Sequence, residues 1–311
     1  MVRIIGILVG LGFVGVAAWS LLWGAIAYVS EPPQETVEHQ FHRHPKPVSF
    51  SFEGPLGKFD RAQLQRGFQV YKEVCAACHG LNLVAFRNLQ ELGYSEAEVK
   101  AIANQWAIEV PDVNPQTGEA TTRKALPADA FPSPYPNEVA ARAANNNALP
   151  PDLSLMAKSR EDGAAYIYSL LTGYANAATY RNEDGEPLPA SVRPGQGLYF
   201  NPYFPNLNLA MPPPIVADGQ VTYADGTNAT IDQMSKDVSA FLMWSAEPRL
   251  ENRHRAGLAV VLFLLIATVL AYLAYKNVWA TAKRAVAPTG PLDAENRARM
   301  DITKDEQGIA G

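Results

Sequence analysis

Both cysteines of this 311-residue chain fall within "YKEVCAACHGLNL", as Cys75 and Cys78, and His79 stands directly behind the second. Two thiols three positions apart share one turn, so both can add to the two vinyl groups of a single porphyrin. The adjacent imidazole is then delivered under the iron. Cys-x-x-Cys-His is therefore the attachment pattern of one covalent c-type haem, with thioethers at Cys75 and Cys78 and His79 as the proximal ligand. A thioredoxin-like pair would have no use for His79. A structural zinc site needs four ligands, and His39, His42 and His44 lie across a proline-rich stretch without helical spacing.

Iron held by one histidine needs a sixth ligand or stays open for chemistry, and methionine closes it and raises its potential. Apart from Met1 and Met300, the candidates are Met156, Met211, Met234 and Met243. Met234 and Met243 sit at helical spacings where methionine fills a core, and Met156 follows the "PPDLS" loop. Met211 lies in "NLNLAMPPPI", where three prolines stiffen the backbone just behind the sulfur, and it is the favoured ligand. In "NALPPDLS", Pro150 and Pro151 have no N–H, so a carbonyl there is free to accept from the outer nitrogen of His79, and a rigid turn unrelated to haem explains the prolines equally well. Haem propionates need donors, and Arg142, Asn145 and Asn146 are of the right type. A solvated helix face explains Arg142 equally well.

These residues need elements to position them. Asp60 caps a helix running toward Cys75, Ser95 and Glu98 form a capping box, a short helix precedes "NNNALPPDLS", "EDGAAYIYSLLTGY" forms a helix stopping at Gly173, and Thr230 with Gln233 opens a last soluble helix. Residues 185–226 read as loop, which inside a folded domain implies something to fold around. The fold class is mostly α: a c-type cytochrome domain with long ordered loops around one haem, flanked by apolar helices.

Two uncharged runs, Ile4 to Val29 and Ala256 to Tyr275, are each long enough to cross about 30 Å of hydrocarbon. The first is a retained anchor or a cleaved signal, since Ala25-Ile26-Ala27 offers a cleavage-like site. The expected organisation is an apolar span (1–30), an extended linker wrapping onto the domain (31–59), the haem domain (60–249), a transmembrane helix with its flank (250–287) and a disordered tail (288–311). Between Glu31 and Arg255 stand 26 Asp and Glu against 19 Lys and Arg. That acidic balance suits a basic protein partner and argues against nucleic acid, although on charge alone simple solubility is the stronger explanation.

Five blocks in order, "VYKEVCAACHGLNLVAFRNL", "ARAANNNALPPDLS", "YIYSLLTGY", "YFNPYFPNLNLAMPPPI" and "DVSAFLMWSAEPR", followed by one C-terminal span, resemble the cytochrome c1 family. The resemblance implies that His79 and Met211 are the axial ligands and that Arg142, Asn145 and Asn146 lie at the propionates. It also implies an electron-carrier subunit of the cytochrome bc1 complex, not an enzyme on its own. Single electrons would arrive from the Rieske iron-sulfur protein and leave to a cytochrome c acceptor. The C-terminal helix would pack on cytochrome b within membrane lipid, in a complex expected to be dimeric. Gly80 replaces a serine common in the family, a neutral change, and the extra disulfide of some bacterial members is impossible here. The first run lacks the Arg- and Ser-rich character of a transit peptide, which points to a bacterial inner membrane with the haem domain on the periplasmic side. Two other functions fit the motif alone: a haem catalyst with an open iron, and a free membrane-tethered cytochrome.

Overall fold

The computed structural model describes residues 2–31 and 36–285; the tail expected to be disordered from residue 288 lies outside them. Among the described residues, eight α-helices and six short strands alternate with long loops. The chain divides into one unit reaching Glu53 and resuming from Lys58 to Pro248, and a second made of Gly54–Gly57 and the chain from Arg249.

In the first unit, α1 (Val2–Ser30) is an exposed, uniformly apolar helix. The stretch expected to be wholly extended instead folds a short helix, α2 (Val37–Phe41), because the Thr36 hydroxyl accepts from His39 N–H and Phe41 is buried at its end. Beyond it the chain does wrap onto the domain. Arg43 N–H donates to the Pro202 carbonyl at 2.8 Å, and the Lys46 ammonium donates to the Thr172 hydroxyl at 2.8 Å.

Helix α3 (Arg61–Glu73) starts where the Asp60 carboxylate accepts from Ala62 and Gln63, and it buries Leu64, Phe68, Val70 and Tyr71. It packs on α7 (Ile231–Ala246), with Phe68 and Tyr71 meeting Phe241 at ring-centroid distances of 5.7 and 5.6 Å. Gly67 permits that approach: a Cβ there would run into the Asp237 carbonyl and lie 2.7 Å from Phe241 Cβ. The rest of this core is aromatic, with Phe86, Trp106 and Phe131 packed edge to face or tilted. Burying each such ring stabilises the fold by roughly 1.5–3 kcal/mol.

The expected helices at Ser95 and in the "NEVAARAA" stretch form as α4 (Glu96–Asn104) and α5 (Glu138–Ala144). Helix α6 (Gly163–Leu171) ends before Gly173, which has no left-handed backbone. That glycine is needed because the Tyr203 ring lies where a Cβ would be. Strands make three two-stranded antiparallel ladders: β1 (Leu81–Ala85) with β4 (Ala130–Phe131), β2 (Val110–Val113) with β3 (Ala120–Arg123), and β5 (Tyr199–Phe200) with β6 (Asn208–Leu209). The loop region has its own small core of Phe41, Leu188, Phe200 and Leu207.

The second unit is essentially α8 (Leu250–Ala285), whose apolar stretch Leu250–Ala280 is long enough to span a bilayer. His254 Nδ1 lies 3.2 Å from the Gly57 carbonyl.

Candidate functional site

Helix α3 stops at Glu73, and the chain tightens into a 3₁₀ turn over Cys75–Ala77. The turn is closed by the N–H groups of Cys78 and His79, both donating to the Cys75 carbonyl at 3.1 and 2.9 Å. Both cysteines are free thiols, half-buried and side by side on the turn. Burial, and then the neighbouring Cys78, pushes the Cys75 thiol up to about 12. It stays protonated near neutrality, the opposite of the activated thiolate of a disulfide-exchange pair.

Behind the motif the residues just past His79 are laced to the "PPDLS" loop. Leu153 N–H donates to the Gly80 carbonyl at 2.9 Å, Asn82 N–H to the Asp152 carboxylate at 2.8 Å, and Leu83 N–H to the Ser154 hydroxyl at 3.0 Å. This lacing aims the imidazole. His79 Nδ1 lies 2.8 Å from the Pro151 carbonyl, and the buried Tyr71 hydroxyl holds the His79 carbonyl at 3.1 Å. A carbonyl only accepts, so Nδ1 carries the proton and Nε2 is left with a bare lone pair. Burial lowers the His79 pKa, against the opposing pull of the Pro151 hydrogen bond, so the ring is neutral near pH 7. Two thiols and a neutral imidazole with its outer nitrogen already bonded are the donor set that a covalent haem requires. The residues present fit that group.

The carbonyl that accepts from His79 belongs to Pro151, one residue past Pro150. Pro150 lines a cavity of about 320 Å³ beside the motif, together with Cys78, Asn82, Tyr135, Ala141 and Asp152. The methionines separate by environment. Met234 is fully buried in α7, Met243 is half-buried with its sulfur 4.0 Å from where a Cβ of Gly163 would sit, and Met156 starts a 3₁₀ turn with its sulfur 3.9 Å from the Ser159 hydroxyl. Met211 is half-buried in a loop after β6, and its carbonyl accepts from the Tyr174 phenol at 3.0 Å.

Arg142, Asn145 and Asn146 close the end of α5. The Arg142 guanidinium donates to the Asn147 carbonyl at 3.2 Å, and Asn145 Nδ2 donates to the Ala141 carbonyl and the Tyr135 hydroxyl. Asn146 and Asn147 take left-handed backbone, which asparagine tolerates at a helix end. Asn146 also reaches the Gly197 carbonyl at 3.4 Å, so this turn touches the loop that precedes β5. One further residue is not legible in the sequence: Tyr174 closes the "YIYSLLTGY" block with no local sign that its hydroxyl serves Met211. Among the described residues no group of three or more His, Cys, Asp or Glu could hold a metal, so the zinc reading finds no ligand set there.

Residues 50–282 match the sequence pattern of the Cytochrome C1 family. A protein named cytochrome c1 from Rhodospirillum rubrum is 46% identical over 244 residues, covering 75% of this chain and 87% of that one. One from Saccharomyces cerevisiae, named "Cytochrome c1, heme protein, mitochondrial", is 42% identical over 270 residues, covering 86% and 83%. A Bradyrhizobium diazoefficiens protein named cytochrome b/c1 is 46% identical over 277 residues. That match takes in 85% of this chain but only 39% of the length of the Bradyrhizobium protein.

Proposed function

The chain belongs to the cytochrome c1 family, and on that premise we propose that it is an electron-carrier subunit of the cytochrome bc1 complex. It would carry one haem bound through Cys75 and Cys78, with His79 and Met211 on the two faces of the iron. Electrons would come singly from the Rieske iron-sulfur protein and pass to a cytochrome c acceptor. Cytochrome b would flank α8, the complex would be dimeric, and the domain would face the periplasm of a bacterial inner membrane. The observation that carries this reading is the orientation of His79: a neutral ring, fixed by the Pro151 carbonyl, with Nε2 unprotonated.

When bound, a haem of this kind supplies one reversible electron exchange and no bond-making. The protein's part is positional. The lacing of residues 80–83 to residues 152–154 holds the imidazole, and the proline strap after Met211 would present a thioether and shut out small molecules. Arg142, Asn145 and Asn146 stand as propionate-side candidates, supported by the family resemblance.

Met211→Leu is the deciding variant. The chain should keep covalent haem by its pyridine haemochrome spectrum, lose potential, and take up carbon monoxide once reduced. An unchanged spectrum and continued refusal of carbon monoxide would remove Met211 from the iron and give its place to another residue, whereas carbon monoxide uptake by the unmutated chain would favour an open catalytic centre. Extraction from membranes without cytochrome b would instead favour a free tethered cytochrome.

A further inference from the structure

Pro212, Pro213 and Pro214 follow Met211 and offer three carbonyls with no N–H among them. Such a run has no amide donors of its own, so outside groups must fix it. Two side chains do. The Tyr174 phenol donates to the Met211 carbonyl at 3.0 Å and lies 3.5 Å from that of Pro212. At the far end Gln220 Nε2 donates to the Pro214 carbonyl at 2.8 Å, while its Oε1 accepts from Val216 N–H at 2.9 Å.

Tyr174 is itself held from both sides. It follows Gly173, whose Cα faces the Tyr203 ring without room for a Cβ. Asn201 Nδ2 donates to the Leu170 carbonyl at 2.7 Å, tying the end of α6 to the β5–β6 segment that leads into Met211.

We propose that Tyr174 and Gln220 are positioning residues for the sixth ligand, clamping the two ends of the proline strap so that the Met211 thioether is held at its working place. The inference rests on the reading of Met211 as that ligand. Neither residue touches the iron; both act through the strap's carbonyls.

The test uses the full-length chain, matured with haem and solubilised in detergent, as wild type, Met211→Leu, Tyr174→Phe and Gln220→Ala. Readouts are carbon monoxide uptake by the reduced protein, the weak near-infrared sulfur-to-iron absorption of the oxidised protein, and thermal unfolding. Tyr174→Phe keeps the ring and loses one neutral hydrogen bond, so the ligand-off population should rise about tenfold. Carbon monoxide uptake should rise and the near-infrared band should weaken with little change in unfolding. Gln220→Ala should act in the same direction, and it decides the matter in the same way should Tyr174→Phe fail to accumulate. If Met211→Leu opens the iron while the clamp variants match wild type, the positioning inference falls and the ligand reading stands. If Met211→Leu changes nothing, the ligand reading falls, and the clamp with it.

Discussion

At the scale of single residues, the buried pair behind the haem motif carries the sharpest expectations. Asp237 is fully buried, and its carboxylate meets Arg66 Nε at 2.9 Å and Gln233 Nε2 at 2.8 Å. Arg66 also reaches the exposed Asp225 at 2.8 Å. Arg66→Ala leaves the Asp237 carboxylate inside the protein without its cation, so stability should fall by about 3–5 kcal/mol in chemical denaturation. Asp225 behaves differently. The Thr227 backbone N–H first, and Arg66 with it, hold its carboxyl down at about 2, below the roughly 3.9 of an unfolded chain. Its contribution is therefore complete above about pH 4 and lost as the pH falls toward 2. Asp225→Asn should flatten the acid limb of the stability profile and leave the neutral region's pH dependence unchanged. Of these residues only the Cys-x-x-Cys-His chemistry is legible in the sequence, because it sits within five positions. Asp237 and Arg66 are 171 positions apart, and neither residue type announces a buried pair.

Helices and loops follow the same logic one level up. The capping box at Ser95 and Glu98 is formed in full, with Glu98 returning to Ser95 N–H at 2.7 Å, because both partners are local and exposed. At Thr230 only half of the expected box exists. The Thr230 hydroxyl accepts from Gln233 N–H, but the Gln233 side chain turns to Asp237, where a buried carboxylate needs donors more than a helix end in water does. The proline-rich stretch after α1 has no period, yet Thr36 and Phe41 suffice for one helical turn once Phe41 has the small core of Leu188, Phe200 and Leu207 to enter. The crossing of α3 and α7 is invisible from sequence for a further reason: a helical glycine usually signals weakness, whereas Gly67 is where two backbones meet. Gly67→Ala should force that crossing apart, costing about 3 kcal/mol or more. The loss would be read as a lowered thermal transition, although the site residues are untouched.

For the whole molecule, the two apolar helices and the acidic middle set how it works with others. α1 from Ile4 to Val29 and α8 from Leu258 to Tyr275 present exposed apolar side chains, as lipid-facing helices do. With a net charge of minus seven between Glu31 and Arg255, the domain should draw in a basic cytochrome c by steering. Electron transfer to such a partner should slow about tenfold from low to physiological ionic strength and beyond, in stopped-flow measurements. A rate insensitive to salt would show that charge does not guide the encounter. A mostly helical middle with a long apolar helix toward either end can be read from composition and spacing. The strap's fastening cannot, since it joins Tyr174 and Gln220 to carbonyls across loops with no periodicity.

That fastening also orders events in time. On the proposed attachment, the two cysteines and His79 are neighbours, so pigment would be joined to a stretch of chain that has scarcely folded; Met211 lies 132 positions later, on a loop that needs α6 and β5–β6 already in place. A polypeptide can thus become red long before it becomes sealed. Colour records that the bonds were made, and only indifference to a dissolved gas records that the last door was closed.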